Sequence, residues 1–387
     1  MEAGLDKDME KVLFVTKYPF HVEYSIKKKF DNQIKAAKNL GYDVYYTAFD
    51  KDFFYLVHNE DRHIVKKIAF TGIKGYIHLK AFLDMYDTVL QTIRNEQFDY
   101  AYIRHCPLTW LGYRMIKALK KNGTRVVVEI PTYPAEKEKS PSMFHSLCKI
   151  YTDFWWRHAE QDCALFTLIG EHADTYHGRP AINIDNGIQV ENIPLRNHPV
   201  GQEEPYHILA LASMCNWHAY DRVIEGIAQM DVEKRKRVVL DMVGGGGDGS
   251  LAEWKELTKL RGLQEQVRFH GYRSGDELNE LVDAASIGLG TLGLYRKDFS
   301  SDSSLKNREY MARGLPFVYA GDDSALEGNE PYVLKIPNND TAVDMDAVLT
   351  FMKDVEAHPQ YREKMRKHAK EKMSWERQFD KLFVALG

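Results

Sequence analysis

The sequence predicts an α/β protein of two doubly wound domains facing each other across a cleft. Three observations carry that expectation. A length of 387 residues exceeds one ordinary core and suits two domains of about 180 residues each. Short β-branched or aromatic runs alternate with amphipathic helices in a parallel-sheet rhythm, and that rhythm starts twice. Between the two starts, 192–205 is rich in proline and polar residues and reads as a linker. The expected domains are therefore 1–197 and 198–373, with 374–387 as a terminal segment.

The first strand is Lys11-Val12-Leu13-Phe14-Val15-Thr16. A helix follows, with Ile26, Phe30, Ile34, Ala37 and Leu40 at helical spacing, and Gly41 stops it. Residues 44–47, 100–103 and 126–130 repeat the strand pattern. In the second half, 207–211, 238–243, 267–269, 287–290 and 317–320 are strands, and a helix runs from about 220 to 228. The last segment carries Phe379, Leu382, Phe383 and Leu386 at helical spacing, a stripe that needs a surface to cover.

Composition removes several function classes. With 44% hydrophobic and 28% charged residues and a net charge of −4, the chain reads as globular and offers no basic field for nucleic acid. No apolar run approaches the ~20 residues that span a bilayer. The acidic start, Met1-Glu2-Ala3-Gly4-Leu5-Asp6, lacks the apolar core of a secretory signal, so a cytoplasmic protein is expected. Cys106, Cys148, Cys163 and Cys215 form no C-x-x-C pair, which fits neither a disulfide framework nor a zinc site.

The most informative stretch is 303–316. Serine caps a helix there, Gly314 ends it, and Pro316 prevents its continuation. Lys306 and Glu309, at i and i+3, share a face of the first turns, where free backbone N–H groups favour an anion. Lysine for phosphate and glutamate for ribose hydroxyls is the functional reading; a solvated Lys306–Glu309 or Glu309–Arg313 pair is the bland one.

Several strings in order along the chain resemble a retaining glycosyltransferase of the GT-B fold, family 4 type, the group that builds bacterial capsular and other envelope polysaccharides. They are Asp185-Asn186-Gly187-Ile188, Asn216-Trp217-His218-Ala219-Tyr220-Asp221-Arg222, Phe269-His270-Gly271-Tyr272, Leu305-Lys306 through Glu309-Tyr310, Gly314-Leu315-Pro316-Phe317-Val318 and Ser374-Trp375-Glu376. The resemblance implies two Rossmann-like domains, an acceptor on the first, a nucleotide sugar on the second, and a last helix crossing back to the first. It also implies that cationic side chains and helix N-termini hold the diphosphate, so no metal or other cofactor is expected. Front-side attack, with the departing phosphate taking the acceptor proton, would then need no dedicated base.

Carried onto this chain, the donor would be held by Lys306, Glu309, Arg222, Asn216, His218, Gly244, Thr291, Leu292, Gly293, Ser303, Ser304 and Leu305. Two departures stand out. The family's first glutamate, eight positions before Glu309, falls on Ser301, with Asp302 adjacent but out of register. The family's lysine at the first helix of the second domain falls on His218, which makes Arg222 the better phosphate candidate. The glycine run at 244–247 lacks a following Lys-Ser or Lys-Thr, so a tight turn or nucleobase-side wall is expected over a phosphate loop. Asp344-Met345-Asp346 is a D-x-D string placed where acidic residues suit a helix start.

On the first domain, Glu129 ends an apolar strand and is a candidate for acceptor binding or acid–base assistance with a raised pKa, or else a carboxylate capping a loop. Arg104-His105 is a weaker candidate of the same kind, and Lys29 and Gln33 could face the cleft. Lys306, Arg222 and Glu129 are the expected catalytic groups. Met143, Leu147, Ile150, Tyr151, Phe154 and Trp155 lie at helical spacing beside Lys149, Trp156 and Arg157. Core packing is expected for this stripe; a membrane-surface helix serving a lipid-linked glycan acceptor is the other reading. A sugar-nucleotide epimerase and a catalytically silent sugar-nucleotide-binding module are the alternatives, whereas a dehydrogenase would need a G-x-G-x-x-G after the first strand.

Overall fold

The computed structural model describes residues 9–20, 25–50, 52–67, 74–134, 143–197, 205–358 and 360–387. The start of the chain, the middle of the proline-rich connection and the side chains of Met143 and Leu147 lie outside the described parts. Two compact units form, 1–184 with 375–387, and 185–374.

The first unit contains β1 (Lys11–Pro19), α1 (Ser25–Asn39), β2 (Asp43–Phe49), β3 (Phe53–His58), β4 (Asp61–Lys67), α2 (Lys74–Thr92), β5 (Tyr100–Arg104), α3 (Trp110–Lys121), β6 (Arg125–Tyr133), α4 (Met143–Ala159), β7 (Leu165–Gly170), β8 (Thr175–Tyr176) and β9 (Arg179–Asn183). Its sheet has the order β4-β3-β2-β1-β5-β6-β7-β9-β8, parallel from β2 to β9. Leu13 and Val15 pack on one face with Met115 and Ile116, while Val12 and Phe14 pack on the other with Phe30 and Ile34. This period-two division is what burial on both faces requires, and it explains why the strands read as continuous apolar runs.

The second unit contains β10 (Tyr206–Leu211), α5 (Asp221–Gln229), α6 (Val232–Arg235), β11 (Val238–Val243), α7 (Ser250–Leu260), β12 (Val267–Gly271), α8 (Gly275–Ala284), β13 (Ile287–Leu289), α9 (Leu305–Arg313), β14 (Phe317–Ala320), β15 (Val333–Ile336), α10 (Met345–Glu356) and α11 (Tyr361–Lys372). Its all-parallel sheet has the order β12-β11-β10-β13-β14-β15. α12 (Trp375–Leu386) then belongs to the first unit, where Phe379 meets the rings of Phe14 and Tyr102 at 5.9 and 5.4 Å. The C-terminal stripe has found its surface.

One boundary differs from expectation. The second unit begins at Asp185, not at 198, because 185–197 is tied to that unit's own helices. Ile188 N–H donates to Met373 O at 2.9 Å, Arg366 Nη1 to Ile193 O at 2.8 Å, and Arg196 N–H to Arg313 O at 2.9 Å. Ile188, Val190 and Ile193 are buried in the second core.

Candidate active site

In the second unit the strand order reverses between β10 and β13, the place where open α/β sheets accept ligands beyond their carboxyl ends. Three connections meet there. Leu292 N–H donates to His218 O at 3.2 Å, Gly247 N–H to Met214 O at 3.3 Å, and Thr291 Oγ1 to Asp302 Oδ2 at 3.4 Å. Gly293 is small because a Cβ would stand 2.5 Å from that of Ala219. Asn216, His218, Thr291, Leu292, Gly293, Ser303 and Ser304 thus come together around the start of α9.

Ser304 occupies the N-cap in extended conformation, yet its side chain makes no capping hydrogen bond. Gly314 closes the helix at φ 68°, in the left-handed region expected of a C-terminal glycine. One turn in, Lys306 Nζ donates to the Tyr220 hydroxyl at 3.0 Å and has no ion-pair partner among the described residues. Burial lowers its pKa to about 7, with Asp302 pulling the other way. The Asp302 carboxyl is itself raised by burial and by Asp323, against Arg308 and Lys306.

His218 is held neutral. Burial, reinforced by the charges of Lys306 and Lys297, lowers its pKa to about 2. Its Nδ1 accepts the Cys215 N–H at 3.3 Å, so the proton resides on Nε2, and the ring stacks on Tyr220 at 5.5 Å. Asn216 is anchored rather than free: its N–H donates to Asp248 Oδ2 at 2.8 Å, and its Oδ1 accepts from Arg296 Nη1 at 2.8 Å. Arg296 is in turn clamped on Asp221 at 2.9 and 2.6 Å.

Several expected roles change. Arg222 is not a phosphate ligand. Its guanidinium is buried and donates to the carbonyls of Thr341 at 2.7 Å, Pro337 at 3.0 Å and Leu292, pinning α5 to neighbouring loops. Gly244 spends its N–H on Gly271 O at 2.8 Å, and a Cβ there would lie 1.8 Å from Ala212 O. It is the tight-turn glycine, not part of a phosphate loop. Ser303 Oγ accepts the Asn186 N–H at 2.7 Å, which fastens the Asp185-Asn186 string to the site's edge. Leu305, the first residue of α9, leaves its side chain exposed.

Glu309 does not pair with Lys306. Its Oε1 accepts from Arg313 Nε and Nη2 at 3.2 and 3.1 Å, the bland i,i+4 pair, and Oε2 accepts nothing among the described residues. In the D-x-D string, Asp344 caps α10 by accepting the Ala347 N–H at 3.0 Å, and Asp346 pairs with Lys234 at 2.8 Å.

Glu129 reverses its expected chemistry. It lies in the first unit, buried, with Oε1 accepting from Lys29 at 2.9 Å and Arg104 at 2.8 Å, and Oε2 from Gln33 and Tyr102 at 2.7 Å each. Burial alone would raise its pKa, but the two cations and these bonds outweigh it and hold the carboxyl down at about 2. Such a group neither donates nor accepts a proton near neutrality; it locks α1 to β5 and β6.

Tyr220 is the site residue that sequence reasoning missed. It stood inside the quoted Asn216-to-Arg222 string, but nothing in local spacing shows that its phenol meets a lysine 86 residues later. The buried Arg308–Asp323 pair beneath α9, with Nη2 to Oδ1 at 2.7 Å, was likewise invisible.

Residues 205–354 match the model of the glycosyl transferases group 1 family. The matched segment falls within the second unit. No curated protein matches the chain. Among solved structures, sucrose-phosphate synthase from Thermosynechococcus elongatus has a TM-score of 0.66 at 12% identity, over 97% of this chain and 99% of that one. HepE of Anabaena in complex with UDP has a TM-score of 0.62 at 12% identity, over 98% and 100%. A glycosyltransferase from Rickettsia africae has 0.62 at 14%, over 98% of each chain. The two-domain α/β fold with parallel sheets is thus that of GT-B glycosyltransferase structures.

Proposed function

We propose that this chain is a metal-independent glycosyltransferase that moves a sugar, with retention, from a nucleotide sugar to a carbohydrate acceptor in polysaccharide or glycan biosynthesis. The observation that carries the reading is Lys306, a half-buried amine at a helix start whose one hydrogen bond goes to a neutral phenol. A diphosphate supplies the charge that this amine lacks, and the free N–H groups of α9 add to its hold. His218 presents a neutral N–H donor beside it, and Glu309 Oε2 is available to ribose hydroxyls. HepE has been solved with UDP-glucose, which makes that nucleotide sugar the first to try. Incubation with UDP-glucose and mass spectrometry is expected to give slow hydrolysis without acceptor; binding without any turnover would reduce the protein to a silent module.

We further place the reaction at the inner face of the cell membrane, on a lipid-linked acceptor. Trp156 of α4 packs inward as core, but Ile150, Tyr151 and Phe154 are 66, 48 and 52% exposed beside Lys149 and Arg157. No helix among the described residues is long and apolar enough to cross a membrane, so attachment would be by this face. Co-sedimentation with phosphatidylglycerol vesicles is expected, and its loss in Phe154→Ser; equal recovery with and without vesicles would remove the membrane contact.

A further inference from the structure

The first unit has a switch point of its own. Its strand order reverses between β1 and β5, and a cavity of about 200 Å³ opens at their carboxyl ends. Lys17, Arg104, His105 and Cys106 contribute polar groups to its wall, and Phe30 and Phe82 apolar ones; no Asp or Glu lines it among the described residues.

The charge here is unbalanced. Lys17 Nζ lies 4.5 Å from the centre of the Phe82 ring and has no ion pair or hydrogen bond among the described residues. Arg104 reaches Glu129 through Nη1 alone, and that carboxylate is shared with Lys29. Lys29 and Arg104 thus share one carboxylate, and Lys17 has none among the described residues. Burial lowers the pKa of Lys17, and it holds His105 neutral at about 4, so the imidazole brings hydrogen-bonding capacity without charge. A half-buried ammonium beside an aromatic wall is costly unless something negative joins it.

We propose that this cavity binds a carboxylate or phosphate ester on the acceptor, so that the saccharide accepted is an acidic one. The inference rests on the glycosyltransferase reading for the word acceptor, but the anion site stands on its own geometry. Lys17 and the unspent edge of the Arg104 guanidinium grip the acidic group, while Phe30 and Phe82 cover an apolar sugar face.

Calorimetry on the full chain tests this with methyl β-D-glucuronide, glucose 6-phosphate and neutral methyl β-D-glucoside. At least one charged probe is expected to bind and the neutral one not to, with affinity falling as NaCl is raised. Preference for the glucuronide assigns the site to a carboxylate, preference for the phosphate to a phosphate ester. Lys17→Met, which breaks no ion pair and removes a costly charge, is expected to keep or raise the melting temperature and to weaken binding about tenfold or more. Lys306→Met is expected to leave this binding intact. Equal binding of the neutral glycoside, no binding of any probe at millimolar concentration, or an unaltered affinity in Lys17→Met overturns the proposal. Absent turnover of UDP-glucose would count against the glycosyltransferase reading alone, since the probe titrations do not depend on it.

Discussion

Lys306→Met raises the melting temperature of the ligand-free protein while lowering nucleotide-sugar affinity by about one to two decades. The affinity loss follows from removing a charged hydrogen bond to phosphate, worth about 1.5–3 kcal/mol. The stability gain follows from removing a half-buried amine whose hydrogen-bond partner is only the Tyr220 hydroxyl. Replacing such a group by an apolar one of similar volume is expected to return about 2 kcal/mol, or about 4–8 °C for a unit of this size. The pH dependence separates this from generic repacking. The folded amine titrates near 7 and an ordinary lysine at 10.5, so between these values the unfolded chain holds the extra proton and stability rises with pH. Wild type should show that rise in a ligand-free melting series from pH 7 to 10, and the variant should lack it. Donor affinity runs the opposite way, falling above pH 7 as the ammonium deprotonates. A variant that melts as wild type does and still binds donor would remove Lys306 from the site.

Glu129→Gln is expected to cost about 3–5 kcal/mol of stability while leaving donor affinity unchanged. Lys29 and Arg104 would remain beside an uncharged amide, and a buried charge stripped of its partner is among the most damaging changes a core can receive. The carboxyl titrates near 2 in the folded state and at 4.5 ordinarily, so its stabilisation is complete above 4.5 and is lost as pH falls from there toward 2. Acid unfolding followed by circular dichroism should therefore be steeper in wild type than in the variant across that window. Full stability with abolished turnover would instead return Glu129 to the chemistry.

The fold was legible because its strands are buried on both faces. Val12 to Val15 read as one apolar run, and the glycines at 41 and 314 stop helices where left-handed backbone is needed, at φ 88° and 68°. The β3–β4 hairpin was not legible: its turn residues, Asn59 and Glu60, adopt φ 48° and 71°, and the usual Asn-Gly signal is absent. Site positions were legible wherever backbone matters, as at Thr291 to Gly293. Cations were the failure. Arg222 and Lys306 look alike as charges in a sequence, and only coordinates show that carbonyl oxygens of distant loops consume the first while the second is left with a phenol. Glu129 failed for the same reason, since its four donors come from α1 and β5.

α12 closes the sheet face that carries Phe14 and Tyr102, yet 190 residues, 185–374, separate it from the rest of its unit. At ~5–20 residues per second on the ribosome, that interval lasts roughly 10 to 40 seconds. The portion translated earliest is therefore finished last, and until then a nascent chain displays an uncovered aromatic surface that chaperones would have reason to shield.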